Sequence, residues 1–320
     1  MTSISFEPFT SDMANDVVRL FQRELHADPI TPEAFTLKVL LDPNFRQDLA
    51  VTAKADGKVV GFMLGIMRRH PLEDAPFDGH RGWITLMAVD AEYQRTGIGS
   101  TMLDMVMDSM RVNHAGSVWV SPYAPNYFTP GIDEHAYPNA IRFLQKHGFR
   151  TAFRPLSMEA DLTNFVIPDW VYEKAHQLLD DGYTLLDLRR ECPPWHSAPT
   201  SLTQFLKTEF PGAWQRIIRD SMESEVECSH PGSRLSVMMK DGVCVGFAHN
   251  DGERFGPFGV AASERGKGLG AVLLGNRLES MVRQGFDRAW FMWTNDQTAH
   301  LYAKFGFHET RRFAVMMREL

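Results

Sequence analysis

Apolar positions along the chain follow two rhythms, and the order of those rhythms is nearly the same in each half. Leu49–Ala53 and Lys58–Ile66 are β-like runs joined at Asp56-Gly57, a dipeptide suited to a hairpin turn. Trp83–Val89 is a third such run. The period then lengthens. Leu103, Val106, Met107 and Met110 stand at i, i+3, i+4 and i+7, which predicts a helix over Ser100–Met110. Val118–Val120 reads as a short strand, and Asn139–Lys146 as a helix closed by Gly148. The second half gives runs at Leu235–Met239, Val243–His249 and Phe255–Val260, with an Asp241-Gly242 turn between the first two. A helix over Gly270–Arg283, a strand at Ala289–Trp293 and a helix ending at Lys304 follow. Strands, then helix, strand and helix, predict an α/β domain with a mixed sheet flanked by helices, present twice in tandem.

Three ordered matches support the duplication. Gly57-Lys-Val-Val-Gly-Phe62 matches Gly242-Val-Cys-Val-Gly-Phe247, the stretch from Val89 to Gly99 matches Val260 to Gly270, and His147-Gly148-Phe149 matches Phe305-Gly306-Phe307. From Phe62 to Gln94 is 32 positions, against 18 from Phe247 to Arg265. From Gly99 to Gly148 is 49, against 36 from Gly270 to Gly306. The first copy therefore carries two insertions, around Arg68–His80 and Ser121–Pro138, which read as surface loops. The second insertion is rich in aromatic and turn-forming residues and reads as a substrate-side lid or an interdomain contact. A helix opened at Pro168 and ended at Gly182 lies at the join. The expected division is residues 1–160, a linker helix over 161–181, and residues 182–320. Tyr183–Leu188 would open the second copy as Ile4–Phe9 opens the first.

Composition narrows the function classes. With 44% hydrophobic and 23% charged residues, 320 residues suffice for two cores. A net charge of −7 without a basic block argues against a nucleic-acid surface and is compatible with amine substrates. Cys192, Cys228 and Cys244 are odd in number and unpaired in spacing, so they read as reduced thiols of a cytoplasmic protein, with neither a disulfide framework nor a metal site. No signal-peptide layout opens the chain, and no apolar run approaches the ~18 residues of a membrane span.

The sharpest chemistry lies in two glycine loops, Gln94-Arg-Thr-Gly97-Ile-Gly99 and Arg265-Gly-Lys-Gly268-Leu-Gly270. Each follows a β-like run and opens a helix, so unpaired first-turn N–H groups and the helix dipole form an anion site that fits a pyrophosphate. Arg95, Arg265 and Lys267 add positive charge. Neither loop is a P-loop or a dinucleotide fingerprint. Two such loops at matching places exceed what a mere strand-to-helix turn requires.

Both loops resemble the Q/R-x-x-G-x-G/A signature of the GNAT superfamily of acyl-CoA N-acyltransferases, and the resemblance spans nearly all of the chain as two copies. It implies acetyl-CoA as the acyl donor. It further implies that Gln94 and Arg265 belong to the cofactor site, and that backbone at Arg95, Gly97, Gly99 and Ser100, and at Gly266, Lys267, Gly268, Gly270 and Ala271, holds its pyrophosphate. Met87 and Val89, and Phe258 and Val260, would border its pantetheine arm as an added strand would. Asn295 would hold the cofactor or cap a helix. In the family a tyrosine five residues before the Gly-Phe phenylalanine protonates the leaving thiolate. That position is Tyr302 in the second copy and Leu144 in the first. The resemblance thus implies an acetyltransferase acting on a small or peptide-borne amine, with Tyr302 as general acid.

Alternatives stay open. Tyr137 or Tyr127 could serve the first copy, which would make the second regulatory, or the protein could bind acyl-CoA without turning it over. The base is not identified; His249, Asp251 and Glu253 read as loop residues ahead of the fourth strand. Trp195 and His196 read as packed or acceptor-side residues, and Trp214, Ile217 and Ile218 as a core-facing helix stripe. No nucleic-acid or membrane partner is expected, and the duplication would suit a monomer or a homodimer.

Overall fold

The computed structural model describes residues 3–188, 197–226 and 232–320. It divides into two compact units. The first holds Met1–Pro71, Phe77–Pro155 and Arg312–Leu320; the second holds Leu72–Pro76 and Leu156–Arg311.

The first unit contains β1 (Ile4–Pro8), α1 (Ala14–Glu24), a one-turn α2 (Pro32–Phe35), β2 (Ala50–Ala55), β3 (Lys58–Met67), β4 (Arg81–Val89), α3 (Ile98–Val112), β5 (Ser117–Val120), β6 (Ile132–Asp133), α4 (Pro138–Lys146) and β7 (Arg150–Phe153). Strands β1 to β4 pair antiparallel in order, and β5 joins β4 in parallel. The stripe Leu103, Val106, Met107 and Met110 of α3 is fully buried, as its spacing predicts. Gly65 lets α3 lie close on the sheet, because a Cβ there would come within 2.7 Å of Val106 and Met110.

The second unit contains β8 (Leu156–Asp161), α5 (Asp169–Asp180), β9 (Tyr183–Asp187), α6 (Ser197–Glu209), α7 (Ala213–Val226), β10 (Leu235–Lys240), β11 (Val243–Asp251), β12 (Arg254–Val260), α8 (Leu269–Arg283), β13 (Arg288–Thr294) and α9 (Asp296–Ala303). Its sheet runs β9, β10, β11, β12, β13 and β8, with only the β12–β13 pair parallel. Helices α5 and α8 cover one face, around Leu274, Leu278 and Val171; α6 and α7 cover the other, around Leu202, Ile218 and Phe247.

The last strand, β14 (His308–Glu319), enters the first unit and pairs antiparallel with β5. Strand β8, from the end of the first repeat, pairs with β13 in the second unit. The division observed therefore departs from the sequence division at 160 and 182. Residues 156–160 and the helix α5 belong to the second unit, and Arg312–Leu320 belongs to the first. The sequence signal is local, whereas strand pairing decides which sheet takes a terminal strand. The first insertion also departs from a free loop, since Leu72–Pro76 is part of the second unit. There Gly212 N–H donates to Glu73 O at 2.8 Å and Gln215 Nε2 donates to Asp74 Oδ2 at 2.7 Å.

Candidate active site

The two glycine loops have the same backbone. Arg95 (φ 64) and Gly97 (φ 95) repeat as Gly266 (φ 82) and Gly268 (φ 99), and Gly97 and Gly268 are the N-caps of α3 and α8. These left-handed positions turn the chain so that successive first-turn N–H groups face outward, a geometry that holds anions. Ala271 is the exception among the expected ligands, because its N–H donates to Gly268 O at 3.1 Å. The leading residue of each loop has another task. Gln94 Nε2 donates to Val89 O at 2.9 Å, and Arg265 Nε donates to Val260 O at 3.3 Å. A glutamine and an arginine thus make the same tie from loop to strand end.

The surroundings of the loops differ. A Cβ on Gly97 would meet nothing within 4 Å, whereas one on Gly268 would come within 2.6 Å of the Lys174 side chain, carried by α5. The second loop therefore has the methylene stem of Lys174 packed against it, while the ammonium of that lysine donates to Gln177 Oε1 at 2.5 Å. Lys267 is paired with Glu264 at 2.9 Å, and Tyr183 donates to the same carboxylate at 2.5 Å. The Tyr183 hydroxyl, then the Lys267 ammonium, hold Glu264 below the usual carboxylate range.

Next to each loop a strand edge is open. Pairing of β4 with β5 runs only from Arg81↔Ser117 to Ile84↔Val120, and β12 meets β13 only at Arg254↔Trp290. Both strands continue to Val89 and Val260. Asp90 N–H donates to Val60 O and Ala261 N–H to Val245 O, so strand alternation turns the backbone of Met87 and Val89, and of Phe258 and Val260, toward the unpaired side. A bulge marks each parting: Leu64↔Leu86 is followed by Gly65↔Ile84, and Ala248↔Phe258 by Asn250↔Phe255. The extra residues are Thr85 in the first unit and Gly256-Pro257 opposite His249 in the second. The open edge and the free first-turn amides fit a ligand with an extended amide arm and a pyrophosphate.

Tyr302, on α9, is 7% exposed and packs its ring against Phe291 (centroids 4.4 Å), Phe307, Phe255 and Phe258. Its hydroxyl makes no hydrogen bond among the described residues, and burial pushes its pKa up. The tyrosine therefore holds its proton at neutral pH. Leu144, at the matching place on α4, is fully buried and carries no proton. Tyr137 accepts a hydrogen bond from Ala27 N–H at 3.0 Å, and the carbonyl of Tyr127 accepts one from Lys38. Asn295 caps α9, its Oδ1 accepting from Thr298 N–H at 2.8 Å.

His249 is not a loop residue. It lies on β11, is 3% exposed, and shares a hydrogen bond with Gly256 O through Nδ1 at 3.0 Å. Burial pushes its pKa down to about 4. Asp251 and Glu253 are engaged by Arg234 and Arg288. The stripe expected at Trp214, Ile217 and Ile218 is corrected too. Ile218 is buried, but Trp214 is 37% exposed and stacks on Phe210, and the buried face of α7 carries Gln215, Ser221 and Glu225. Trp195, His196, Cys192 and Cys228 lie outside the described residues. Cys244 is a buried free thiol that burial pushes up to about 12. Sequence spacing had no means of finding Lys174, which reaches the loop from another helix. A shallow cavity of ≈ 330 Å³, lined by Asn164, Phe165, Pro168, Lys304 and Phe305 among others, holds none of these site residues. Among the described residues no helix is long and apolar enough to cross a membrane.

Comparisons with known proteins agree with this geometry. The model of the acetyltransferase (GNAT) family matches residues 14–149 and 200–307. The fold is similar to the GCN5-related glucosamine N-acetyltransferase region of a fungal multi-domain GH3 β-N-acetylglucosaminidase, with a TM-score of 0.79 and 18% identity. That match covers 99% of this chain and 38% of the other, so this chain spans well under half of that protein. A GCN5-related N-acetyltransferase from Sphaerobacter thermophilus matches with TM-score 0.65 and 18% identity over 99% of this chain and 95% of its own. A tandem GNAT protein from the clavulanic acid biosynthesis pathway matches with TM-score 0.60 and 16% identity, over 99% and 98%. No curated protein sequence matches.

Proposed function

The chain belongs to the acetyltransferase (GNAT) family, and on that premise we propose that it moves an acetyl group from acetyl-CoA to a primary amine, with Tyr302 of the second repeat as general acid. The observation that carries this reading is the replacement of buried Leu144 by Tyr302, whose hydroxyl is uncommitted. Acetyl-CoA, when bound, supplies a thioester to be attacked and a thiol leaving group. The residues of the chain do the rest. First-turn amides at Gly268 to Gly270 hold negative charge. The open backbone of Phe258 and Val260 orients an amide-bearing arm. Tyr302 enters the step protonated and donates. The first repeat keeps the loop and the open edge without the tyrosine, which supports a binding role there. The neighbour described as a glucosamine N-acetyltransferase makes amino sugars the first acceptors to try. We place the activity in the cytoplasm, with its acetyl-CoA pool.

Steady-state kinetics and calorimetry on Tyr302→Phe test the assignment together. Loss of turnover by about 10²–10⁴-fold with unchanged acetyl-CoA affinity is expected of a general acid. Unchanged turnover would remove the second repeat as the catalytic one.

A further inference from the structure

In each repeat the first helix after the opening strand ends on a glutamate, and the two glutamates reach the same place. Glu24 closes α1, and its Oε1 accepts from Ala91 N–H at 3.1 Å. Glu209 closes α6, and its Oε2 accepts from Ala262 N–H at 3.2 Å. Ala91 and Ala262 are each the second residue beyond the strand that leads to a glycine loop, after Val89 and Val260. The partners stand 67 residues apart in the first repeat and 53 in the second, a difference of 14. The same difference separates the 32 positions from Phe62 to Gln94 from the 18 between Phe247 and Arg265. Once the first insertion is allowed for, the glutamates therefore occupy one position of the repeat. The stretches around them, residues 20–25 and 205–210, share only that glutamate in register.

On helix grounds the position is a poor one for an acid. The C-terminus carries the negative end of the helix dipole, so a carboxylate there weakens the helix. What the acid gains lies outside it. Each strand before a loop finishes with a bond back into the sheet, Asp90 N–H to Val60 O and Ala261 N–H to Val245 O. The next N–H opens a short 3-10 turn, Ala91–Tyr93 or Ala262–Glu264, and a first-turn N–H has no partner within its own turn. The glutamate supplies one. In the first repeat Glu24 also takes the leading residue of the loop, since Gln94 Nε2 donates to Glu24 Oε2 at 3.4 Å. A loop whose amides must meet a ligand together needs its entry fixed, because amides that have to be reoriented on binding give up affinity.

We propose that Glu24 and Glu209 are positioning residues for the cofactor: each braces the turn leading into its glycine loop, so that the loop amides are aligned before the pyrophosphate arrives. This rests on the acyl-transfer reading of the loops. The two braces differ in redundancy. Asp90 Oδ1 takes the next N–H of the first turn, that of Glu92, at 3.1 Å. Ala261, at the matching place, has no side-chain oxygen to offer. The second loop therefore depends more on its glutamate.

Calorimetric titration of the full chain with acetyl-CoA, beside melting temperatures, tests this on alanine and glutamine variants at both positions. Glu209→Ala is expected to weaken one equivalent of acetyl-CoA about tenfold and Glu24→Ala the other about threefold, as for a charge-assisted hydrogen bond lost outright or partly replaced. If the wild type takes a single equivalent, only the glutamate of the binding repeat should matter. Glu209→Gln and Glu24→Gln keep an oxygen that accepts the same N–H, and affinity should stay within about twofold. Melting temperatures of the alanine variants should stay within about 3 °C of the wild type, because Ala91 and Ala262 are exposed and their N–H groups can turn to water. Equal loss in the glutamine and alanine variants, or loss in step with a lowered melting temperature, would mean a merely structural acid and would overturn the proposal. Wild-type affinity in both alanine variants would sink the braces alone. A wild-type chain that takes no acetyl-CoA would sink the acyl-transfer reading and the braces with it.

Discussion

The two repeats share a frame and differ in what is mounted on it. Their loops adopt the same left-handed turns, their fourth strands bulge at the same register, and Gln94 and Arg265 make the same tie to a strand end. Yet at two buried positions the first repeat has a leucine where the second has a proton-carrying ring: Leu64 against His249, and Leu144 against Tyr302. A frame set by glycine conformation and strand pairing survives divergence because few residues satisfy it. Side chains inside it are free to become packing or chemistry. The comparison teaches that the loop-and-edge frame and the side chains mounted inside it can diverge separately.

The largest effect tests whether the first frame stands on its own repeat. Ending the chain at Arg311 deletes Phe313, Ala314, Val315 and Met316, all fully buried. The lost burial, about 1.5–3 kcal/mol for each large side chain together with the sheet pairing, is a large share of a domain's margin of roughly 5–15 kcal/mol. Proteolysis should then digest the first unit preferentially. Next comes the leucine against the tyrosine. Leu144→Ala should cost about 2–5 kcal/mol in chemical denaturation and leave kcat unchanged, whereas Tyr302→Phe should do the opposite. If both lower kcat alike, the division of labour fails.

A third test uses acid. The His249 pKa is lowered from 6.5 to about 4, so the unfolded chain binds the extra proton in that window. The contribution is fully present above pH 6.5 and is lost as pH falls toward 4, by about 3 kcal/mol at the limit. His249→Leu, the residue of the first repeat, should flatten that part of the stability–pH curve. The smallest effects are in the loops. Gly97→Ala and Gly268→Ala should each cost about 1–2 kcal/mol through the left-handed backbone. Only the second must also push Lys174 aside, so only it should change acetyl-CoA affinity measured at that site. Arg95→Gly should stabilise by about 1 kcal/mol, seen as a higher melting temperature.

Much of the frame could be read from residues. The hairpins, α3, α8 and the loops were legible because period and glycine spacing are local, and Leu144 against Tyr302 followed from counting back from a Gly-Phe pair. What escaped was non-local. Nothing near Leu156 or Phe313 announces which sheet takes each strand. His249 closes the run Val243–His249 and read as solvated because it is polar and Asn250 and Asp251 follow it, whereas β11 continues to Asp251. The polar inner face of α7 was hidden because periodicity marks a buried stripe by its apolar members, and here only Ile218 and the partly buried Met222 carried that signal.

The placement of β14 also sets a clock. The neighbour of β5 follows the second repeat in the chain, so an edge finished early in translation waits for nearly the whole second repeat to be made. At roughly 5–20 residues per second, that wait is on the order of ten to forty seconds. During it the β5 edge is open to pairing with other nascent chains, and the cell must shield it or lose protein to aggregation. Expression at lower temperature, or with a chaperone that holds exposed strands, should therefore raise yield more than any stabilising change in the second unit.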